Sequence, residues 1–226
     1  MEIGAVLREG SAIYFKYWFR LVTMGLVVFA ITALGTAAVV NIGLFTGLIL
    51  ASIIATVGGL LLQGALIKVI EDVRDGRVDM TIGEAFSKAL PFLGKILVAS
   101  LIAGIGAAIG LFLLIVPALI LLTIWAFIVP VIVLEGESIF GSFTRSRELV
   151  RGNGFGVFGL ILLTFLLGAS PLILLGLLMS DADLAVRRFV SDIVSGALIG
   201  PFTSCLLITA YFHLRGEPAQ PEPHQI

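Results

Sequence analysis

The residues of this sequence that could take part in catalysis or metal binding are few and far apart. There are two histidines, His213 and His224, and one cysteine, Cys205. Nucleophilic catalysis and metal binding both need several such side chains in one place, and motifs such as His-x-x-Glu-His or Gly-x-Ser-x-Gly do not occur. We therefore predict no catalytic residue, no metal ligand, no cofactor and no enzymatic activity. Cys205 is expected to be a small buried apolar side chain.

A small basic island offers a different chemistry, the binding of carboxylates and phosphates. Arg145, Arg147 and Arg151 follow Glu135, which ends a long apolar run. In a helix with about 3.6 residues per turn, Arg147 falls inside the apolar arc and Arg145 on the opposite face. We predict that Arg147 forms an ion pair with Glu135; the alternative is that it reaches water without a fixed partner. Lys88, Arg145 and Arg151 are predicted to contact lipid headgroups.

The composition that surrounds these residues is that of a membrane protein. The chain is 59% hydrophobic and 13% charged, whereas soluble domains are about 45–50% apolar and about 25% charged. Four intervals carry no charged residue, and the first two are long enough for two helical spans of about 20 residues each. We predict an all-α polytopic membrane protein with tight turns at Asn41-Ile42-Gly43 and Val116-Pro117. Its six transmembrane helices are expected at about 21–40, 43–66, 95–115, 117–134, 156–179 and 192–213.

The distribution of basic residues predicts the orientation of these spans. Twelve of the fourteen basic residues fall in the N-terminal segment, the second and fourth loops and the tail, and the other two, Arg187 and Arg188, fall in the fifth loop. By the positive-inside rule, both termini are cytoplasmic and the protein lies in the cytoplasmic membrane. We expect one membrane domain over residues 1–215 and a disordered tail over residues 216–226.

Three amphipathic segments each precede a predicted hairpin of two spans, and all three are expected to lie along the membrane surface. They cover about residues 3–18, 81–90 and 139–150. Thr81 and Glu84 have the spacing of a capping box at the start of the second, and Pro91 should end it. The predicted membrane-facing residues of the third are Ile139, Phe140, Phe143, Ser146 and Val150. This order suggests three repeats of a surface helix followed by two spans.

The region around the basic island resembles a known family. Trp125 and Pro130 precede Val133-Leu134-Glu135, and the stretch Ser142-Phe143-Thr144-Arg145-Ser146-Arg147-Glu148-Leu149-Val150-Arg151-Gly152-Asn153 follows. This order, with Tyr211-x-x-Leu214-Arg215 near the end, resembles the membrane domain of the glycerophosphoryl diester phosphodiesterase family and related bacterial six-span proteins. The resemblance implies membrane topology but no catalytic residue, because the chemistry of the enzyme-bearing relatives belongs to a separate soluble barrel.

These observations favour a non-enzymatic scaffold or lipid-organising protein, with membrane phospholipids as partners. A homo-oligomer or another membrane protein is a possible partner, and the net charge of −1 gives no indication of nucleic acid. The alternative is a transporter or lipid-handling channel with a site between the spans. Pro171 and Pro201 lie near the middle of the fifth and sixth spans, where paired broken helices can form such a site, although prolines also merely bend transmembrane helices. The spans contain no ionisable side chain at depth, which argues against an ion-coupled pump.

Overall fold

The computed structural model describes residues 2–39, 42–76, 78–178 and 183–217, and within these ranges the chain is helical and has no β-strand. The prediction of an all-α protein is confirmed. Residues 218–226 of the predicted tail lie outside the described residues. The helices are α1 (Ile3–Val39), α2 (Leu44–Arg74), α3 (Ile82–Ala89), α4 (Leu93–Leu113), α5 (Ile115–Ile124), α6 (Ile128–Pro130), α7 (Ile139–Val150), α8 (Gly154–Leu178), α9 (Leu184–Ile193) and α10 (Gly200–Leu214). Wider π-type turns follow α6 at Val131–Glu135 and precede α10 at Val194–Ile199.

In the part of the chain that the structure describes, six helical segments are long and apolar enough to cross a membrane, in the number that the sequence predicts. Their lengths run from 21 to 37 residues, and a bilayer span needs about 20. They are Ile3–Val39, Phe45–Arg74, Ile82–Phe112, Ile115–Glu135, Gly154–Leu178 and Val190–Leu214.

The first amphipathic segment is part of the first long helix. The backbone of α1 departs from helical angles only at Tyr17, where φ is −116° and ψ is 19°. A kink, and no loop, therefore separates the amphipathic start of α1 from its apolar continuation.

The second amphipathic segment forms the short helix α3, and its predicted capping box is confirmed. The Thr81 hydroxyl accepts a hydrogen bond from the Glu84 N–H at 3.2 Å, and the Thr81 N–H donates to Glu84 Oε2 at 2.7 Å. Pro91 lies in the 3-10 turn Leu90–Phe92 that joins α3 to α4. Proline has no N–H to donate and disfavours the helical interior, so the regular helix ends where the sequence predicts.

The turn between α4 and α5 is as tight as predicted but lies slightly earlier in the chain. Leu114 alone is extended, with φ −171° and ψ 153°, and a Cβ added to Gly110 would lie 3.0 Å from Ala118. Pro117 falls in the first turn of α5, where its missing N–H costs no helical hydrogen bond. Of the other predicted turn, Asn41 lies outside the described residues, and Gly43 has a left-handed φ of 152°.

Helix α7 packs on the bundle through a face that includes two of the residues predicted to face the membrane. Its buried residues are Ser142, Ser146, Leu149 and Val150, whereas Phe140 is 75% exposed. Small side chains let helices approach closely, and the two serines supply that close surface. Phe143 sits beside this face and packs edge-on against Trp125, with ring centroids 5.1 Å apart. Phe140 is exposed, as a membrane-facing residue would be, whereas Ser146 and Val150, which were also predicted to face the membrane, are buried against the bundle.

The two prolines that could break a span have different effects. α8 continues through Pro171 without interruption, which agrees with the alternative that prolines are accommodated within transmembrane helices. Pro201 stands in the first turn of α10, directly after the π-type turn Val194–Ile199, so the sixth span is irregular near this residue. A further break, which the sequence analysis does not predict, separates α5 from α6 at Trp125–Phe127. Pro130 explains it, because its ring conflicts with the carbonyl of Ala126 four residues earlier.

The best-packed part of the molecule lies toward the end where α2 and α10 terminate. Its large, fully buried side chains include Leu66, Ile132 and Tyr211. Farther along α2 and α4, large apolar side chains point outward, and Phe45 and Phe112 are 80% and 91% exposed. Contacts between the first turns of α1 and the last turn of α10 put these two helix ends at the same end of the bundle as the core. The repetition of three units stays a prediction, because the joint between surface helix and span differs in each.

Candidate functional site

Glu135 is the centre of a hydrogen-bonded cluster at this end. It closes the π-type turn, and Gly136 follows with a left-handed φ of 72°. Arg145 Nε donates to Glu135 Oε2 at 2.9 Å, and the Tyr211 hydroxyl donates to Oε1 at 2.7 Å. Arg215 donates to the Tyr211 oxygen at 3.2 Å. We call these residues the Glu135 cluster; it joins the π-type turn, α7 and α10.

The predicted ion pair between Glu135 and Arg147 is wrong, since Arg145 occupies that position. On α7, Arg145 lies about 60° around the helix from Ser142, whereas Arg147 lies about 140° from it on the other side. Because Ser142 faces the bundle, Arg145 reaches Glu135 and Arg147 is exposed. The hydrogen bond to the Glu135 carboxylate raises the pKa of Arg145 above its ordinary value.

A second cluster joins α1 to the ends of α2 and α10. Glu9 Oε2 lies 2.7 Å from His213 Nε2, and Arg74 donates to the other oxygen of Glu9. The Arg74 guanidinium carbon also lies 4.3 Å from the centroid of the Phe212 ring, which is the geometry of a cation–π contact. The sequence analysis missed this cluster, because its members are 65 and 204 positions apart and share no motif.

A third polar contact lies near the end of α2. The Asp72 carboxylate accepts a hydrogen bond from the Met80 N–H at 3.2 Å and lies 3.9 Å from Arg20 Nη1. The Asp72 side chain is only 4% exposed. Asp72 therefore fixes the connection between α2 and α3 and balances the charge of Arg20, which lies in the apolar continuation of α1.

The break between α5 and α6 is stabilised by one side chain of α7. The Ser146 hydroxyl accepts a hydrogen bond from the Phe127 N–H at 3.1 Å and donates to the Ile124 carbonyl at 2.8 Å. Ser146 is fully buried. Buried backbone groups that leave a helix need other partners, and Ser146 supplies two of them. This is the physical reason why the serine face of α7, and not its phenylalanines, meets the bundle.

The remaining basic residues at this end differ in whether they are exposed or hydrogen-bonded to other groups of the protein. Lys88, Arg147 and Arg151 are exposed, whereas Arg145 is held by Glu135 and lies 3.6 Å from Glu148. Lys95 donates to the carbonyls of Gly136 and Glu137. Contact with headgroups therefore stays a prediction for Lys88 and Arg151, and Arg145 is engaged within the protein.

An acidic pocket of about 340 Å³ lies beside Lys88. Glu71, Asp72, Asp75 and Asp79 line it. Within the described part of the chain, however, no group of three or more His, Cys, Asp or Glu side chains is arranged to hold a metal ion. Since Asp72 is already hydrogen-bonded and Lys88 brings a positive charge, we assign no ligand to this pocket.

An apolar groove of about 630 Å³ runs along the outside of the bundle between α5 and α8. Leu119 and Ile120 line it from α5, and Gly154, Phe155 and Phe158 from α8. A Cβ added to Gly154 would meet no atom within 4 Å. The groove is therefore open where α8 begins.

The fold and site define a class. In its described residues this is an all-helical protein with six helices long enough to cross a membrane, and at one end its polar side chains form hydrogen bonds and ion pairs with one another. The chain belongs to the family described as "Domain of unknown function (DUF7847)", whose model matches residues 76–214. Neither a curated protein nor a solved structure matches the chain. Nothing in these comparisons links it to the glycerophosphoryl diester phosphodiesterase family, so that resemblance stays a prediction. The matched region contains the whole Glu135 cluster except Arg215, and the groove as well.

Proposed function

We propose that this chain is a non-enzymatic, multi-pass protein of the cytoplasmic membrane that organises anionic phospholipids on the cytoplasmic side. The observation that carries the proposal is the segregation of its polar groups. Glu9, Asp72 and Glu135 are each engaged by basic groups of the same protein, while Arg147 and Arg151 are left exposed on α7. Exposed arginines beside acids that are already engaged attract phosphate headgroups, at about 1 kcal/mol for each basic residue.

Insertion into a membrane is supported by the outer surface of the helices. Phe45, Phe112 and Phe155 are 80%, 91% and 95% exposed, and contiguous apolar surface of this extent is incompatible with solubility as a monomer. The orientation is supported by the positive-inside rule, since the end that carries Glu9, Arg74, Arg145 and Arg215 is the basic end of the sequence.

A lipid-handling channel is the second candidate, favoured by the break between α5 and α6. Irregular backbone within a span can bind a substrate through its free carbonyl and N–H groups. Here the Ser146 hydroxyl engages the carbonyl of Ile124 and the N–H of Phe127. Because these groups are already hydrogen-bonded, the scaffold is the better-supported proposal.

The orientation is tested with reporter fusions. A reporter fused after Arg151 should report cytoplasm, and one fused after Asp183 should report the opposite side. The reverse result at either position contradicts the proposed topology.

Lipid organisation is tested by spin-label spectroscopy of the full chain in vesicles. Spin-labelled phosphatidylglycerol should be immobilised at the protein surface in larger proportion than spin-labelled phosphatidylcholine, and the excess should shrink in high salt. Replacing both Arg147 and Arg151 by glutamine should reduce the excess. Equal immobilisation of the two lipids by the wild-type protein contradicts the proposed function.

A further inference from the structure

The groove between α5 and α8 has the dimensions and direction of a site for one lipid chain. Its volume of about 630 Å³ lies within the range of about 300–1,000 Å³ for ligand sites. α5 has 10 residues and so is about 15 Å long at 1.5 Å per residue, about half of a 30 Å hydrocarbon layer. A chain lying along it would span one leaflet.

The lining of the groove is apolar, and its one hydroxyl is already used. Thr123 lines it, but its hydroxyl donates to the Leu119 carbonyl at 2.7 Å. A polar ligand would find no partner in such a site, whereas a hydrocarbon chain would lose nothing on leaving the bilayer and would gain packing against both helices.

Positive charge stands at the end of the groove where α7 meets α8. Val150 and Gly152 line this end, and the exposed Arg151 lies between them in sequence. Arg147 is one helical turn earlier, and its carbonyl accepts the Arg151 N–H at 3.1 Å. Both arginines are exposed, and guanidinium groups bind phosphate through paired hydrogen bonds.

We propose that the groove between α5 and α8 binds one hydrocarbon chain of an anionic phospholipid, with the phosphate at Arg151 and Arg147. This inference rests on the proposed function and makes it specific: one lipid is held at a defined site, in addition to the general enrichment of anionic lipid around the protein. Gly154 keeps the mouth of the groove open beside the arginines.

Gly154→Leu tests the proposal directly. Gly154 is in the first turn of α8 without a left-handed φ, and the space around its missing side chain is empty. The Cβ of a leucine there meets no neighbour, and the rest of its side chain extends from a residue that lines the groove. The matched control is Gly168→Leu, which adds the same side chain to the same helix at a position that also has no atom within 4 Å and does not line the groove.

The full chain is reconstituted in vesicles with equal parts phosphatidylglycerol and phosphatidylcholine and then extracted in mild detergent. Native mass spectrometry measures the mass of the protein together with any lipid that it retains. We expect the wild-type protein and Gly168→Leu to retain one phosphatidylglycerol. Gly154→Leu should retain it at least about tenfold less, because each displaced methylene weakens binding about fourfold. Arg151→Gln should weaken retention about fivefold, and Arg8→Gln should not. Circular dichroism confirms that each variant is folded.

The outcomes separate this inference from the proposed function. Equal retention by Gly154→Leu and Gly168→Leu overturns the groove site, even where spin-labelled phosphatidylglycerol is still enriched around both. Retention of phosphatidylcholine as readily as phosphatidylglycerol overturns the anionic occupant. Conversely, the site is supported if the wild-type protein retains one phosphatidylglycerol and Gly154→Leu loses it. This holds even if the spin-label experiment finds no general enrichment of anionic lipid and so contradicts the scaffold function.

Discussion

The Tyr211 hydroxyl donates a hydrogen bond of 2.7 Å to Glu135 Oε1. The two residues are 76 positions apart, and the contact fastens the end of α10 to the π-type turn that follows α6. Tyr211 is fully buried and packs against Phe127 at the break between α5 and α6. This bond therefore connects the last helix both to the Glu135 cluster and to the most irregular part of the backbone.

Tyr211→Phe should lower the free energy of unfolding in detergent by about 1.5–3 kcal/mol, the contribution of a hydrogen bond to a charged group. The ring keeps its packing, so the loss reports the hydroxyl. Tyr17→Phe is the matched control, because the Tyr17 side chain is only half-buried and its hydroxyl has no hydrogen bond among the described residues. Equal losses in the two variants would show that the bond to Glu135 does not stabilise the fold.

Arg145→Gln and Arg147→Gln should differ in their dependence on Glu135. Arg145 is hydrogen-bonded to this carboxylate and 38% exposed, so solvent screening limits its contribution to about 1 kcal/mol. A double-mutant cycle with Glu135→Gln should give a coupling free energy for Arg145 and none for Arg147. Coupling to Arg147 of equal or greater size would restore the pairing that the sequence predicts.

The difference between these two arginines shows what local sequence can and cannot predict. The six apolar segments and the Thr81 capping box were predictable, because each depends on residues close together in the chain. The partner of Glu135 was not, because it depends on which face of α7 turns inward. The amphipathic pattern places Phe140 and Ser146 on one membrane-facing side, whereas the structure leaves Phe140 exposed and buries Ser146 against the break between α5 and α6.

Contacts between residues far apart in the sequence could not be predicted either, because they too depend on how the helices pack. Glu9, Arg74 and His213 are ordinary terminal residues of their helices until the fold brings them together. The one local signal that was available and overlooked is Pro130, which predicts a distortion of the fourth span four residues earlier. At Pro171 both a break and an accommodated proline were open from the sequence, and α8 accommodates that residue without a break.

Ser146→Ala should destabilise the protein by about 1–3 kcal/mol, because it leaves the Phe127 N–H and the Ile124 carbonyl buried without their partner. Ser142→Ala is the control on the same face: Ser142 is equally buried, but its hydroxyl donates only to the Ile139 carbonyl of its own helix. Chemical unfolding of both variants measures the difference. If Ser142→Ala lowers the free energy of unfolding as much as Ser146→Ala does, the loss comes from changing a buried serine, and the hydrogen bonds to the break make no extra contribution.

Gly25→Ala and Gly104→Ala should change stability in opposite directions. A Cβ on Gly25 would lie 2.8 Å from the Ala197 Cα and 3.1 Å from the Gly196 carbonyl oxygen. These are backbone atoms that cannot rotate away, so α1 must separate from the π-type turn before α10, at a cost of about 1–3 kcal/mol. A Cβ on Gly104 in α4 would meet no atom within 4 Å, so alanine there removes the entropic cost of glycine in a helix, about 0.5–1 kcal/mol. Unfolding of both variants in the same detergent tests the pair, and a stabilised Gly25→Ala protein would contradict the close packing of α1 against the start of α10.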